Sequence, residues 1–297
     1  MVRRTAVTHV RRVVPSADLL GETPLWCSRT GRLWWIDIEQ PRLQSFDPAS
    51  GRHAVHALPG QFLGSLAFRA AGGFLLAIDS ALHRYDPDSG RLELFRAVEP
   101  DALGNRLNDG RCDAAGRFWV GSMDVGLARP SGAFYRVDPD GTATCLHDGI
   151  IVSNTVAIAP DQRTLYHSDT RRFVTWAFDL DADAGTLSRR RVFVDHGAAR
   201  DRPDGACVDA QGHLWTAIFG SGRIDRYAPD GRRERVVPLP VTNPTCLCFG
   251  GPGLATLYVT TARKFLDDAQ LAREPWAGSV LAFEPGAAGL PEAMFAG

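Results

Sequence analysis

A short apolar phrase recurs along the chain at nearly even intervals. In Gly212-His213-Leu214-Trp215 a turn residue and a polar residue precede a leucine and an aromatic side chain, and five other segments repeat this order with small changes. The six copies end at positions 34, 75, 119, 166, 215 and 258, so 41 to 49 residues separate successive copies. A repeat of about 40 to 50 residues is typical of one four-stranded blade in a β-propeller. The pattern therefore predicts six blades.

The segments between copies predict further antiparallel strands. Apolar stretches end in Asp-Pro or Asp-Gly pairs, as in Tyr85-Asp86-Pro87, and such pairs form hairpin turns. Helical periodicity is confined to residues 267–274, which we expect to form a short helix in the last inter-strand loop. Residues 7–14 have a strand-like pattern ahead of the first full repeat, so we expect them to supply an outer strand to the last blade and close the ring.

Together these patterns predict an all-β fold, a six-bladed β-propeller with four-stranded antiparallel blades around a central channel. The spacing is even through the whole chain, so we expect residues 1–297 to form a single domain. An apolar fraction of 44% is enough for a core of this size. The six cysteines are too sparse for a disulfide scaffold, and we expect all of them to be small core residues.

Charge and hydropathy narrow the classes of function. A net charge of −1 gives no electrostatic reason to expect nucleic acid or an anionic membrane as a partner. No stretch approaches the roughly 18 apolar residues of a membrane span, and no apolar run of signal-peptide length follows Met1. We therefore expect a cytoplasmic monomer that acts on a small molecule.

One position of the repeat carries an oxygen-bearing side chain in four of the six copies. These residues precede the end of the phrase by eleven or twelve positions and are Glu22, Asn108, Asn154 and Asp204. The first strand of each propeller blade lines the central channel, so equivalent residues at its start meet at one mouth. The other two copies offer Leu63-Gly64 and Thr245-Cys246 there, which we expect to form apolar or weakly polar wall.

The convergence of Glu22 and Asp204 predicts a metal site. Two carboxylates that meet without a cation repel each other, and burial penalises both of them. An oxygen-only ligand set favours a hard ion such as Ca²⁺, Mg²⁺ or Mn²⁺, while Zn²⁺ and Fe²⁺ also bind carboxylates. Three protein ligands leave positions for water and substrate, which is the pattern of a catalytic site rather than a closed structural one.

A second polar cluster surrounds Leu107. Arg106 and Asn108 flank this residue and so share a face, where an arginine and an amide suit a polyhydroxylated substrate. The alternative is a surface turn closed by Asp109-Gly110. No Gly-x-Ser-x-Gly nucleophile motif occurs in the chain. Three further candidates follow the repeated strand, where we expect an outer rim: Asp124, His167 and Asp169.

Several motifs distributed over the chain carry a family resemblance. Among them are Gly21-Glu22-Thr23-Pro24-Leu25-Trp26, Arg106-Leu107-Asn108-Asp109-Gly110, Ser153-Asn154, Pro203-Asp204-Gly205 and Cys248-Phe249-Gly250-Gly251. In combination they resemble the SMP-30/gluconolactonase/regucalcin-like family of six-bladed propellers, in its bacterial aldonolactonase type, over essentially the whole chain. The resemblance implies an activity, the hydrolysis of aldonolactones such as glucono-, xylono- or arabinonolactone. It also implies that one divalent cation is held by Glu22, Asn154 and Asp204, and that Arg106 and Asn108 contact the sugar.

Within such a reaction we expect Asp204 to accept the proton of the attacking water. Asp124 is expected to add a substrate contact, with His167 as a further candidate. Two other functions stay open at this point: a non-catalytic, calcium-binding regulatory propeller and a propeller hydrolase of another ester class.

Two positions depart from the family pattern. Gly121-Ser122-Met123-Asp124-Val125-Gly126 holds one acidic residue where several relatives carry a pair. Thr155 stands where a glycine often follows the metal-binding asparagine, so we expect less space beside the ion.

Overall fold

Six four-stranded antiparallel sheets follow one another around a ring in the computed structural model, which describes residues 8–297. Each of the first five sheets takes its four strands in chain order, and the sixth combines the last three strands with the first one. The protein is therefore a six-bladed β-propeller, and the predicted fold class is confirmed.

The strands are short, and the first of each blade is the innermost. Strand β1 (Arg11–Val14) precedes blade 1, which contains β2 (Gly21–Cys27), β3 (Arg32–Asp37), β4 (Arg42–Asp47) and β5 (Arg52–Ala57). Blade 2 contains β6 (Leu63–Phe68), β7 (Phe74–Ile78), β8 (Ala81–Tyr85) and β9 (Leu92–Ala97), and blade 3 contains β10 (Asn105–Cys112), β11 (Phe118–Asp124), β12 (Gly132–Val137) and β13 (Ala143–Ile150). Blade 4 contains β14 (Ser153–Ile158), β15 (Thr164–Asp169), β16 (Val174–Asp181) and β17 (Thr186–Asp195). Blade 5 contains β18 (Arg202–Val208), β19 (Leu214–Phe219), β20 (Arg223–Tyr227) and β21 (Arg233–Pro238), and blade 6 contains β22 (Pro244–Gly250), β23 (Thr256–Thr261), β24 (Val280–Phe283) and β1.

The two ends of the chain meet in blade 6. Each innermost strand contacts the innermost strands of both neighbouring blades, and β22 contacts β2 where the ring closes. Strand β1 is the outer strand of blade 6 and pairs with β24 through Arg11↔Ala282 and Val14↔Val280. It is shorter than the predicted segment 7–14, of which Val7 lies outside the described residues.

One short helix, α1 (Asp268–Arg273), lies in the loop between β23 and β24, as the sequence predicted. Asp267 caps it, because its side chain accepts a hydrogen bond from the backbone N–H of Gln270 while the Gln270 side-chain oxygen accepts one from the Asp267 N–H. A single 3₁₀ turn at Pro252–Leu254 was not predicted. Within residues 8–297, no helix is long and apolar enough to cross a membrane.

The repeated phrase places aromatic residues in the core between blades. Trp119 and Trp215 are completely buried. Each indole N–H donates a 2.9 Å hydrogen bond to an aspartate six residues earlier, Asp113 for the first and Asp209 for the second. The phrase therefore supplies both apolar packing and a partner for a buried carboxylate in the preceding turn.

The six cysteines are free thiols. Four are buried, whereas Cys27 is half-buried and Cys145 is exposed. The expectation that all six are core residues is wrong for Cys145, because this residue lies on β13, the outermost strand of blade 3, where no neighbouring strand covers it.

Candidate metal and substrate site

The innermost strand of every blade contains a β-bulge near its start. Each bulge places one extra residue opposite the second strand, and a bulge bends the backbone and re-aims the neighbouring side chains. The register shifts lie between Glu22 and Leu25, Leu63 and Ser65, Leu107 and Gly110, Asn154 and Ala157, Pro203 and Ala206, and Pro244 and Leu247. The four polar residues of the repeat stand at or inside these bulges, which explains why they share one end of the channel.

Two threonines next to the predicted metal ligands have left-handed backbone conformations. Thr23 follows Glu22 with a φ of 43°, and Thr155 follows Asn154 with a φ of 57°. Such angles are strained for a β-branched residue and persist where surrounding contacts enforce them. Thr155 is held by its hydroxyl group, which donates a 2.5 Å hydrogen bond to the carbonyl oxygen of Asp204. Thr155 therefore ties blade 4 to blade 5.

Five of the predicted site residues line one cavity of about 90 Å³ at the mouth of the channel. They are Glu22, Arg106, Asn108, Asn154 and Asp204. The predicted wall pairs Leu63-Gly64 and Thr245-Cys246 are not among the lining residues. The structure thus brings the polar residues together, whereas residues other than the predicted pairs form the apolar wall of the cavity.

Three carboxylates crowd this end of the channel. Burial, followed by repulsion from Asp204 and Asp109, raises the pKa of Glu22 well above its usual value. Burial and the charge of Asp109 likewise raise the pKa of Asp204. Burial also raises the pKa of Asp109, although this side chain accepts a 2.8 Å hydrogen bond from the backbone N–H of Val156. The sequence had suggested Asp109 only as a turn residue, and its buried position corrects that alternative.

Arg106 and Asn108 form a connected pair on the wall of the cavity. The Arg106 guanidinium donates to Asn108 Oδ1 at 2.5 Å and lies 5.3 Å from the centre of the Phe62 ring. Burial lowers the pKa of Arg106 to about 10, against the opposing effect of the acidic neighbours. Asn108 Nδ2 donates to the Ser153 carbonyl oxygen at 2.7 Å and to Asn154 Oδ1 at 2.9 Å. Asn108 therefore positions Asn154 as well as facing the cavity.

The orientation of the Asn154 amide is fixed at both ends. Its oxygen accepts from Asn108, and its nitrogen donates to Thr170 Oγ1 at 2.9 Å. The Thr170 hydroxyl in turn donates to the Pro203 carbonyl oxygen at 2.6 Å. Because an amide oxygen has two lone pairs, Asn154 Oδ1 retains one for a further partner.

The donor set at the mouth fits a divalent cation. Glu22 and Asp204 are 5% and 8% exposed, and neither forms an ion pair within the described part of the chain. Buried carboxylates of this kind need a positive partner. No group of three or more His, Cys, Asp or Glu side chains in residues 8–297 is placed to hold a metal. A cation at this mouth would therefore rely on two carboxylates together with the Asn154 amide oxygen.

The Asp124 carboxylate is hydrogen-bonded within its own loop. Its carboxylate accepts hydrogen bonds from the backbone N–H groups of Ala128 and Arg129, at 3.0 and 2.9 Å, and an ion pair joins it to the Arg129 guanidinium at 2.7 Å. These bonds, with the Arg129 backbone N–H foremost, lower the pKa of Asp124 to about 2. Asp124 is not among the residues that line the cavity.

His167 and Asp169 are buried inside blade 4 rather than placed on an outer rim, so that expectation is wrong. The His167 ring stacks 4.3 Å from Phe134, and its Nε2 lies 2.7 Å from Ser153 Oγ. Burial keeps the pKa of His167 well below its usual value. Asp169 accepts the backbone N–H groups of Ile151 and Val152. Both faces of a propeller blade pack against neighbouring blades, so polar residues that follow the repeated strand can still be internal.

The sequence did not indicate most of the remaining wall. Several lining residues belong to the segments that follow second strands, among them Ile38, Leu127, Arg171 and Lys264 with Phe265. Lys264 pairs with Glu39. Position within the repeat could have indicated these lining residues, because the loop after each second strand borders the same mouth as the start of each first strand. Among the six copies, a recurring polar residue marks only the start of the first strand and not the loop after the second.

Known proteins resemble the chain over nearly its full length. The family profile described as SMP-30/Gluconolactonase/LRE-like region matches residues 20–263. A 6-deoxy-6-sulfogluconolactonase of Pseudomonas putida is 36% identical, with 96% of this chain and 98% of that protein covered. Regucalcin of Xenopus laevis is 31% identical, with 96% and 97% covered. The crystal structure of a calcium-binding protein, regucalcin, from Agrobacterium tumefaciens has a TM-score of 0.92 at 33% identity, with 98% and 99% covered. The chain belongs to the SMP-30/gluconolactonase/LRE-like family.

Proposed function

We propose that this protein hydrolyses the lactone of a sugar acid to the open-chain aldonate and depends on one divalent cation. The observation that carries the proposal is the meeting of two unpaired, buried carboxylates with Arg106 in one cavity. The 36% identity to a protein named as a sulfogluconolactonase supports the same reaction class.

The proposed ligands of the cation are Glu22, Asn154 and Asp204, all of which line the cavity. Their oxygen atoms suit Ca²⁺, Mg²⁺ or Mn²⁺, and Zn²⁺ or Fe²⁺ as well. When bound, the cation would supply positive charge that stabilises the negative charge developing on the lactone carbonyl. The fixed amide of Asn154, held by Asn108 and Thr170, gives this set one rigid member.

The chain's own residues divide the remaining tasks. Arg106 is placed to bind ring hydroxyl groups, and Asn108 orients both Arg106 and Asn154. Water adds to the lactone carbonyl carbon while the Asp204 carboxylate accepts one of its protons. The bond from that carbon to the ring oxygen then breaks, and the ring oxygen takes up the proton as a hydroxyl group. Val152 and Phe219 contribute apolar wall that limits other water at the site.

Water is also the nucleophile that the geometry favours. Ser153 and His167 lie within hydrogen-bond distance, but neither lines the cavity and both are completely buried. A serine nucleophile needs access to the carbonyl carbon as well as an adjacent base. The proposed reaction therefore passes through no covalent intermediate.

A second candidate is calcium binding without catalysis. Similarity to regucalcin, including a solved structure described as a calcium-binding protein, favours it. The same carboxylates would hold the ion, so the two candidates differ only in whether a lactone is turned over. Hydrolysis of another ester class stays a further alternative, which a panel of substrates addresses.

A pH-indicator assay on a panel of aldonolactones tests the proposal. We expect acid release by the wild type, above the spontaneous rate, that is lost in chelator and restored by a divalent ion. Asp204→Ala should lower the rate by about a thousandfold or more. Asn108→Ala should lower it by about ten- to a hundredfold, as for other residues that orient a metal ligand. Asp88→Ala, an exposed turn residue, is the matched control and should keep the wild-type rate.

Two results would count against the proposal. If the wild type released acid no faster than buffer on every lactone while an ion was bound, the calcium-binding candidate would remain. If Asp204→Ala lost the ion but kept the full rate, lactone hydrolysis would stand without the cation.

A further inference from the structure

Two arginines share one side of the candidate cavity. Arg171 follows Thr170, the residue that holds the Asn154 amide, and Arg202 lies two residues before Asp204. Both line the cavity. Burial and then the charge of Arg171 lower the pKa of Arg202, and the charge of Asp204 acts in the opposite direction. The cavity therefore has a cationic side next to the proposed cation ligands.

Neither arginine has an acidic partner within the described residues. Arg171 and Arg202 form no ion pair and no side-chain hydrogen bond there, while the next residue along, Arg172, pairs with Asp169 at 3.4 Å. The Arg202 guanidinium lies 5.0 Å from the centre of the Phe219 ring, another lining residue. Arginines without partners also occur on the open surface, but these two stand together on the wall of a cavity.

The backbone around Arg202 makes room for this guanidinium. Gly220 follows the end of β19 with a φ of 77°, in a conformation that favours glycine. A side chain at this position would overlap the Arg202 guanidinium. Gly220 therefore leaves space for the Arg202 guanidinium, and the Phe219 ring lies against one face of that guanidinium.

The charges on the other side of the mouth are already balanced. Lys264, which also lines the cavity, pairs with Glu39. Arg106 has Glu39, Glu22 and Asp204 as acidic neighbours. Arg171 and Arg202 are thus the lining cations whose side chains have neither an ion pair nor a hydrogen bond among the described residues, although the charge of Asp204 acts on Arg202.

We propose that Arg171 and Arg202 bind a terminal oxyanion of the substrate, so that the protein prefers sugar-acid lactones bearing a sulfonate, phosphate or carboxylate group over neutral ones. This inference rests on the proposed lactonase function and names its substrate class. Guanidinium groups present paired N–H donors that match the oxygen atoms of such anions. A cationic wall inside a cavity also attracts an anionic substrate before it binds.

The test compares two substrates within each variant. Hydrolysis of glucono-1,5-lactone is measured beside that of its counterparts carrying phosphate or sulfonate at C6, in the wild type, Arg171→Gln, Arg202→Gln and the double variant. The readout is the ratio of kcat/KM for the anionic and neutral lactones, so a general loss of activity cancels. We expect the wild type to prefer an anionic lactone, and each substitution to reduce the ratio by about tenfold. The phosphate and sulfonate arms show which oxyanion the pair prefers.

Arg172→Gln is the matched control. This substitution removes a positive charge that is paired with Asp169, and Arg172 does not line the cavity. The ratio should therefore stay at the wild-type value. Raising the salt concentration should reduce the preference in the wild type more than in the double variant. An equal kcat/KM for anionic and neutral lactones, or a ratio unchanged in the double variant, would overturn the inference while leaving lactone hydrolysis intact.

A binding measurement separates failure of the inference from failure of the proposed function. Calorimetric titration with gluconate and with gluconate 6-phosphate needs no turnover. Tighter binding of the phosphorylated acid, lost in the double variant, would support the arginine site even if no lactone were hydrolysed. Equal binding of the two acids would contradict the site, whatever the lactonase assay shows.

Discussion

Two groups of buried carboxylates in this propeller differ in what they contact. Asp209, in the core of blade 5, accepts hydrogen bonds from the Trp215 indole at 2.9 Å and from the Arg226 guanidinium at 2.7 Å. Glu22 and Asp204, at the channel mouth, form no ion pair with any described residue; acidic neighbours raise their pKa values, and the charge of Arg106 acts in the opposite direction. The first carboxylate is satisfied by the fold, whereas the other two have no ion-pair partner among the described residues.

The electrostatic consequences run in opposite directions. Burial acts to raise the pKa of Asp209, but the hydrogen bonds from Trp215 and Arg226 outweigh it, and the pKa falls below its usual value. For Glu22 and Asp204 burial is joined by like-charge repulsion, and the pKa values rise. Burial alone therefore does not mark a functional acid in this protein. Within the described residues, the absence of an ion pair distinguishes Glu22 and Asp204 from Asp209.

The largest expected effect on stability comes from the satisfied group. Asp209→Ala should lower the free energy of unfolding by about 3 to 5 kcal/mol, because it leaves the Trp215 and His213 N–H groups without their partner and the Arg226 charge with Glu234 alone. Urea denaturation in the presence of a chelator measures this. Asp204→Ala, which removes the same atoms, should lose far less under these conditions. Equal losses for the two variants would erase the distinction between the groups.

A histidine away from the cavity sharpens the comparison, because it also has an unpartnered atom. Among the described residues, His147 Nε2 has no hydrogen-bond partner, and the ring packs on Phe178 at 5.4 Å. Burial, helped by Arg190 and opposed by Asp148, lowers the pKa of His147 to about 4. The unfolded chain takes up this proton near the ordinary value of 6.5, so stability should fall as the pH drops from 6.5 to 4.

The loss attributable to His147 should be no more than about 3 kcal/mol. His147→Phe keeps an aromatic ring in place and should reduce the pH dependence of stability in this interval, leaving the part due to the buried His167 and His196, whose pKa values are also lowered. His9→Gln, at an exposed position, is the control and should leave the profile unchanged. Lactone hydrolysis at neutral pH should be insensitive to His147→Phe, since this residue does not line the cavity. An unchanged pH profile in His147→Phe would assign the acid sensitivity to other groups.

The smallest expected effect has the opposite sign. In chelator, Glu22→Gln should raise the free energy of unfolding by about 1 kcal/mol, because it removes a buried charge that repels Asp204. The matched control is Asp37→Asn, a buried acid that accepts a 2.8 Å bond from Arg42 and should be destabilised by the same change. Differential scanning calorimetry distinguishes the two. A destabilised Glu22→Gln would show that the mouth carboxylates are satisfied by the fold after all.

The sequence predicted the parts of this protein that repeat. Six blades follow from the spacing of one phrase, because the second strand of each blade carries the last residue of the phrase near its start, aromatic in five blades and Leu75 in blade 2. The polar ring also follows, because the bulge in each first strand recurs at one register, with Glu22 and Asn154 at equivalent positions and Asp204 one residue further along.

The parts that the sequence did not predict lack this repetition. Arg171 and Lys264 lie in loops after second strands, where the copies share no pattern that marks a cavity wall. The hydrogen bonds that the Asp124 carboxylate accepts from the N–H groups of its own loop were not predicted either. His167 was expected at a rim, and packing between neighbouring blades buries it instead. Contacts of these kinds depend on three-dimensional neighbours that spacing does not reveal.

The most direct test of the central claim is a titration of the metal-free protein with a divalent ion, following bound metal and lactone hydrolysis in the same samples. The unpaired carboxylates at the mouth predict that activity rises in proportion to occupancy and saturates at one ion per chain, while Glu22→Gln shows neither binding nor recovery. Full hydrolytic activity in the verified metal-free protein would contradict the claim, as would metal binding that is unchanged in Glu22→Gln.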